Sequence, residues 1–338
     1  MIPMNKSRIL VVALIVVLLC LAGGSYSIFG GKVSIGLGLA AFANADKYTV
    51  GDTEITSTVE NLDINWTSGK VNIEYHAGSG VSVSEAANRN TSEDEKLRWW
   101  LDGTTLRIQY AKPQMTIFNN LKKTLTVSLP EGIVLKNVDI DTTSADISVP
   151  SMTADEIKFD TTSGDVNAAI TTKKLSASST SGDLNIRQDS GINTASFSTT
   201  SGTAVFTVPS AEKISMESTS GDLSVTVSGT VADLHLDSTS GAIRPDIATA
   251  DKAKFSSTSG DITATLVSFK DLNVDVTSGD VTLKLPEISG FTLDLDARPS
   301  KLHSSLAMTK KGDDQYVYGD GSARLRIDTT SGDIHIDK

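Results

Sequence analysis

"TTSGDVN" at residues 161–167 is the stretch that decides the fold. On its own it is an ordinary tight turn, in which Gly tolerates a sharp bend and Ser and Asp offer side-chain oxygens to turn amides. It is repeated, however, as STSGDLN at 179–185, STSGDLS at 218–224, STSGDIT at 257–263, VTSGDVT at 276–282 and TTSGDIH at 329–335. The residue after each Thr-Ser pair falls at Gly69, Ala145, Gly164, Gly182, Gly202, Gly221, Gly241, Gly260, Gly279 and Gly332. From Ala145 to Gly279 the steps are 19, 18, 20, 19, 20, 19 and 19, and the gap from Gly69 to Ala145 is 76, four times 19. A period held this closely marks a stacked array.

The flanks carry the same message. Around Gly221, counting seven and five back and two, four and six forward finds Ile214, Met216, Leu223, Val225 and Val227. Around Gly279 the same count finds Leu272, Val274, Val281, Leu283 and Leu285, and around Gly69 it finds Leu62, Ile64, Val71, Ile73 and Tyr75. Alternation of this kind reads as strands with one buried face. The apolar parity is odd before the turn and even after it, so the corner must shift the register. Gly is expected to do so through a positive φ, and Asp by accepting an amide of its own turn.

One such unit cannot bury its apolar edge, whereas parallel stacking about 4.8 Å apart buries every unit and pairs the backbones. The predicted fold is therefore all-β: a β-solenoid, parallel β-helix-like, of coils about 19 residues long. Some 15 coils over residues 51–338 give a rod of roughly 70 Å. Two rivals remain, an antiparallel sandwich or prism built from hairpin-like TSGD turns, and a propeller, which needs roughly twice this period. The array is irregular at 80–135, where "LRWWLDGTTLRIQY" reads as two strands around Asp102-Gly103, and again at 286–324. Both segments are expected to cap the open ends of the array.

The N-terminus is of a different kind. Lys6 and Arg8 precede "ILVVALIVVLLCLA" at residues 9–22, and the segment to Phe29 has the length of a bilayer-crossing helix. The positive flank predicts residues 1–8 in the cytoplasm, a single-pass anchor at 9–29, a Gly- and Ala-rich stem at 30–50, and an extracytoplasmic domain at 51–338. A cleaved signal peptide and a lipoprotein at Cys20 are the alternatives. Ala43–Asn44–Ala45 has the small-x-small form of a cleavage site but lies too far beyond the apolar run, and Leu19 precedes Cys20 where a small residue is needed. Cys20 is the only cysteine of 338 residues, which excludes disulfides and thiol chemistry in the exterior part. The net charge of −11 argues against nucleic acid as a partner.

Candidate chemistry is sparse. The outward positions of the repeats are small, polar and mixed in sign, with no aromatic stripe for a sugar to stack on. An Asp column follows the corner, and Asp165, Asp183, Asp261 and Asp280 are its calcium candidates, set against the simpler reading of turn caps facing solvent. Thr203 and Ala242 interrupt that column. His76, His235, His303 and His335 are scattered, and no motif for a hydrolase, metalloprotease or nucleotide site is present. Asp237, Arg244, Asp246 and Asp275 are the nearest thing to a polysaccharide-cleaving set, and surface salt pairing explains them equally well. Trp99 and Trp100 are either filler for the irregular segment or a contact surface. No catalytic residue, cofactor or metal is assigned.

With these motifs, the sequence resembles the LiaG-like bacterial family of candidate adhesins of unknown function. "VENLDINWTSGKVNIEY" at 59–75, "LTVSLPEGI" at 125–133, "VDIDTTSADISV" at 138–149 and the following TSGD array to 285 carry the resemblance, which covers roughly residues 50–338. It implies a β-solenoid-like extracytoplasmic domain with an N-terminal membrane anchor, a non-enzymatic adhesive or envelope-stress role, and no catalytic residues to transfer. The expected partners are the membrane, through the N-terminal helix, and envelope proteins or polysaccharide. A polysaccharide-active enzyme and a calcium-stabilised spacer are the alternative functions.

Overall fold

The computed structural model describes residues 25–28, 31–34, 44–113, 120–296 and 302–338. The predicted anchor at 9–29 lies outside them except for Ser25–Ile28, which is a strand paired antiparallel with Gly31–Ser34. These four residues therefore do not continue a helix, and the stem at 30–50 is described only in part. Among the described residues no helix is long and apolar enough to cross a membrane.

From residue 49 onward the chain is a stack of strands. Leu135–Thr161, Val166–Ser179, Leu223–Ser238, Ile243–Ser257 and Ile262–Val276 are long strands that bend where one layer passes into the next. Every pairing between successive repeats from 137 to 285 is parallel and in register, as between Ile157 and Leu175 or between Leu236 and Phe255. Apolar residues at the alternating positions point inward and are fully buried; Ile214, Met216, Leu223 and Val225 are each 0% exposed. A second parity shift occurs on the far side of the layer. There Thr172 is buried, Lys173 and Lys174 are exposed, and Leu175 is buried again. Two adjacent outward residues at that bend turn the chain back toward the next corner. The antiparallel sandwich and the propeller are both excluded by the parallel register.

The corner works differently from the sequence expectation. Gly164, Gly182, Gly202, Gly221, Gly241, Gly260 and Gly279 do not have positive φ, which is confined to Gly69 and Gly332 among the corner glycines. Close approach is what requires Gly. A Cβ on Gly221 would sit 1.9 Å from the carbonyl oxygen of Gly202, and one on Gly241 would sit 2.0 Å from that of Gly221. From Gly164 to Gly279 the corners stack too tightly for a side chain on that line, whereas Ala145, which faces Gly69, keeps its methyl group.

Stacking order departs from chain order at both ends. Ala145 pairs directly with Gly69, so their separation of 76 residues spans neighbouring layers and hides no intervening coils. Gly69 in turn pairs with Lys123 on its outer side. The first repeat, Asn61–His76, is thus covered by Thr105–Gln109 and Lys123–Pro130. At the other end, Ala323–Thr329 lies between Ile262–Val276 and the outer strand Gly290–Asp296. The corner column runs Lys123, Gly69, Ala145, Gly164, Gly182, Gly202, Gly221, Gly241, Gly260, Gly279, Gly332. With one further layer outside Gly332, the stack measures roughly 55 Å at about 4.8 Å per layer. The expected 15 coils and 70 Å are too many, because each irregular segment supplies one parallel layer and spends its other residues on antiparallel strands.

Those antiparallel strands close the ends. Val81–Ala87 pairs with Lys123–Pro130, and Arg98–Asp102 pairs with Thr105–Gln109. Among the described residues the outermost strands are Thr49–Val50 and Thr53–Ile55 at one end and Leu302–Ser304 and Thr309–Lys310 at the other. Each is two or three residues long, so little unpaired backbone is left for another chain to extend.

Candidate functional site

The corner motif builds two ladders. Three residues before the corners from Ala145 to Gly332 stands a buried hydroxyl, namely Thr142, Thr161, Ser179, Thr199, Ser218, Ser238, Ser257 and Thr329, with Val276 the one exception; before Gly69 the same position holds Trp66. The hydroxyl of Ser238 accepts the Gly241 amide at 2.8 Å, and that of Thr199 donates to the Gly202 carbonyl at 2.8 Å. Thr142, Thr161, Thr199, Ser238 and Ser257 in this way satisfy backbone groups that the bend leaves inside the core, whereas the hydroxyls of Ser179, Ser218 and Thr329 are buried without a hydrogen-bond partner among the described residues. Outside the corner, each Asp bridges two layers. Asp165 accepts the amide of Asp183 at 2.9 Å, Asp183 accepts that of Thr203 at 2.8 Å, and Asp261 accepts that of Asp280 at 2.9 Å. Asp280 likewise accepts the amide of Asp333 at 2.8 Å. The carboxylates thus bind the next layer's turn rather than their own, and one oxygen of each calcium candidate is engaged by an amide. Among the described residues no three His, Cys, Asp or Glu side chains are gathered as a metal site.

The other predicted residues separate. Arg244 pairs with Asp222 at 2.6 Å. Asp237 and Asp246 lie on strands either side of the corner, while Asp237 and Asp275 share a face two layers apart, with Ser256 between them in register. His303 and His335 meet as exposed stacked rings 5.1 Å apart, and His76 closes a local turn by accepting the Gly78 amide. Trp99 packs partly buried against the core, whereas Trp100 is on the outer side of the same strand.

What does converge is at the Lys123 end, on the outward face of the strands that precede the corner. Parallel register aligns Arg107, Asp63 and Asp139 in one row, and Gln109, Asn65 and Asp141 in the row beside it. Lys158 and Asp160 extend the two rows. Arg107 is ion-paired with Asp63 and lies 3.4 Å from Asp102. Lys158 bridges Asp139 at 3.2 Å and Asp160. Burial works against the Lys158 ammonium, but Asp160 and Asp139 outweigh it and hold its pKa above the ordinary lysine value. Burial is also the main cause that pushes the Asp141 carboxyl up to about 7, with Asp160, Asp139 and Asp63 adding repulsion and Lys158 opposing. Burial raises Asp139 in the same direction.

Next to this row the surface opens into a cavity of about 310 Å³ lined by Tyr48, Trp100, Asp63, Asp102, Arg107 and Gln109, with Asn44 at its rim. The Tyr48 and Trp100 rings meet edge to face at 5.7 Å, and the Lys47 ammonium lies 4.7 Å over the Trp100 ring. Burial raises the Tyr48 phenol, against a hydrogen bond from Gln109.

Beneath this surface the core is sealed by charge. Lys123 occupies the corner position of the outermost parallel layer, 1% exposed, where among the described residues no further corner stacks against its Cβ. Its ammonium reaches Glu85 at 2.6 Å and the Glu95 carbonyl at 2.7 Å, and lies 4.2 Å from the Tyr110 ring and 4.8 Å from that of Trp66. Burial lowers its pKa, opposed by Glu85. Sequence reasoning missed this residue, although Leu125, Val127 and Leu129 at two, four and six after it repeat the pattern that follows every other corner.

No curated protein matches the chain in sequence. Solved structures similar to it include a candidate cell adhesion protein from Clostridium sporogenes, at 13% identity and a TM-score of 0.18 over 86% of this chain and 99% of that one. Another is a candidate adhesin from Bacteroides fragilis, at 12% identity and a TM-score of 0.31 over 86% and 96%. A third is a candidate lipid binding protein from Parabacteroides distasonis, at 17% identity and a TM-score of 0.42 over 69% and 95%. The family model for Toastrack DUF4097 matches residues 59–271 and 267–337, nearly the whole layered body, and the chain belongs to that family.

Proposed function

We propose that the protein is a non-catalytic surface element of the bacterial envelope, an adhesin or scaffold. The N-terminal apolar segment holds it in the membrane, and its layered body stands outside the cell. The observation that carries this reading is the outward surface of the regular layers. Arg244 is paired there with Asp222 and Lys174 with Glu156, and none of the predicted residues meet in a catalytic arrangement. A rigid ladder of small polar side chains suits recognition by surface complementarity.

The test is retention of the full chain on washed bacterial envelope, compared with residues 44–338 alone. Saturable retention of both supports the reading, and loss of retention by both overturns it. Turnover of an envelope polysaccharide that disappears in Asp237→Ala and Asp246→Ala would establish the enzymatic alternative instead. A melting midpoint unchanged by millimolar calcium removes the calcium-stabilised spacer.

A further inference from the structure

The regular layers offer a sugar nothing to stack on. The cavity beside Trp100 does, and it lies where the irregular segment covers the first repeat, so the periodic pattern gives no hint of it. We infer that this cavity binds a neutral oligosaccharide, taking one or two of its rings. The inference rests on the surface-adhesin reading and names the class of partner.

A sugar ring presents an apolar C–H face and a rim of hydroxyls. A site for it pairs an aromatic platform with a few fixed polar groups in a concavity. Trp100 and Tyr48 provide the platform. Asp63 and Asp102 are held by one guanidinium, Arg107, and Gln109 is held by the Tyr48 hydroxyl, so the polar rim is in place before a ligand arrives. Such pre-organisation lowers the ordering cost of binding. A volume of about 310 Å³ is at the lower end of small-molecule pockets, roughly 300–1,000 Å³, which suits a chain end or a short segment.

Charge narrows the class. The lining carries Asp63 and Asp102 against Arg107, with Lys47 over the Trp100 ring, so it has no net positive charge. Its guanidinium is already engaged by the two carboxylates, which leaves little to attract uronate or phosphate and suits a neutral sugar. Lys47 is exposed and lies over the Trp100 ring, so a sugar stacking on that face displaces a flexible, solvated side chain.

The experiment is calorimetric titration of the full chain in detergent micelles with chitotetraose, cellotetraose and maltotetraose, with tetragalacturonate as the acidic comparison. At least one neutral tetraose is expected to bind saturably, with Kd on the order of 0.01–1 mM, and tetragalacturonate about tenfold more weakly or not at all. Trp100→Ala is expected to weaken binding about tenfold or more, and Asp102→Asn and Gln109→Ala about three- to tenfold each. Lys47→Ala is expected to leave binding equal or tighter. If Trp100→Ala loses its thermal transition, the Asp102→Asn and Gln109→Ala variants decide the matter. No saturable binding of any neutral tetraose up to about 10 mM, or equal binding by the pocket variants, overturns the inference. Envelope retention of the wild type, measured in parallel, separates the two readings. Retention without sugar binding removes the pocket and leaves the adhesin; sugar binding without retention does the reverse.

Discussion

Between Ala145 and Gly279 the corner column is made of the smallest side chains available. At the outer end the same columns finish in Lys123 and Trp66, two of the largest buried side chains of the protein. In the regular stack each corner is pressed against the carbonyl of the layer before, and the space is already filled by backbone. At the end no further corner arrives, and the vacated line must be filled by side chain or left as a void. Lys123 fills it with its stem and satisfies its ammonium on Glu85 and two carbonyls, while Trp66 donates to the Lys123 carbonyl at 3.1 Å. Periodicity thus governs the middle, and bespoke polar chemistry governs the end.

The sharpest way to break this contrast is to put one methyl group in each region. Gly221→Ala forces a Cβ to within 1.9 Å of a main-chain oxygen and is expected to cost more than about 4 kcal/mol, enough to abolish cooperative unfolding in a thermal melt. Gly103→Ala, in the cap hairpin, meets nothing within 4 Å and carries only the strain of φ +62, which is expected to cost about 1 kcal/mol. Equal losses would mean that the corners are not packed as described. Next in size is Lys123→Ala, expected to cost about 3–5 kcal/mol because Glu85 is left buried without its partner. Lys123→Met with Glu85→Gln should recover most of that loss in a urea titration, and failure to recover it would point to a role beyond charge pairing.

Asp141 sharpens the comparison through pH. Its native pKa of about 7 lies above the ordinary carboxylate value, so the folded state holds a proton that the unfolded chain releases from about pH 4 upward. Its contribution is therefore most favourable below about pH 4 and declines as pH rises through 7. Asp141→Asn is expected to stabilise the protein by about 1–2 kcal/mol at pH 8, after discounting for solvent screening, and to change little at pH 4. A gain of equal size at both pH values would reject the burial of a titrating carboxylate as its cause. The smallest effect belongs to the outer ladder. Asp183→Ala removes one interlayer bond to the Thr203 amide and is expected to cost about 1 kcal/mol, read as a shift in the denaturation midpoint.

The middle of the molecule was legible because each of its constraints recurs every 19 residues. Alternating apolar positions, the parity shift at the corner and the Gly column all follow from one repeated geometry, so the eight imperfect copies from Ala145 to Gly279 reinforce one another. The role of Gly was misread, since turn chemistry suggests dihedral freedom and the sequence does not display how near the next layer lies. The hydroxyl ladder was overlooked for a related reason: in "TTSGD" the first Thr looks like surface turn composition, and only the fold shows Thr161 facing inward. The ends resisted reading because nothing there repeats. A spacing of 76 suggested four coils, whereas the chain leaves the stack after His76, builds the outer layer and returns beside Gly69. That detour carries Trp100 and Arg107 to Tyr48, on strands absent from the periodic pattern.

The threading at the far end has a consequence for biosynthesis. Gly290–Asp296 and Leu302–Ser304 take parallel partners only from Ala323–Thr329 and Ile334–Asp337, which leave the ribosome later. Until those strands arrive, the layer at Val281–Lys284 offers bare backbone to any passing ribbon. Nascent or prematurely stopped chains are thus sticky at one tip, and completing translation is what renders them inert.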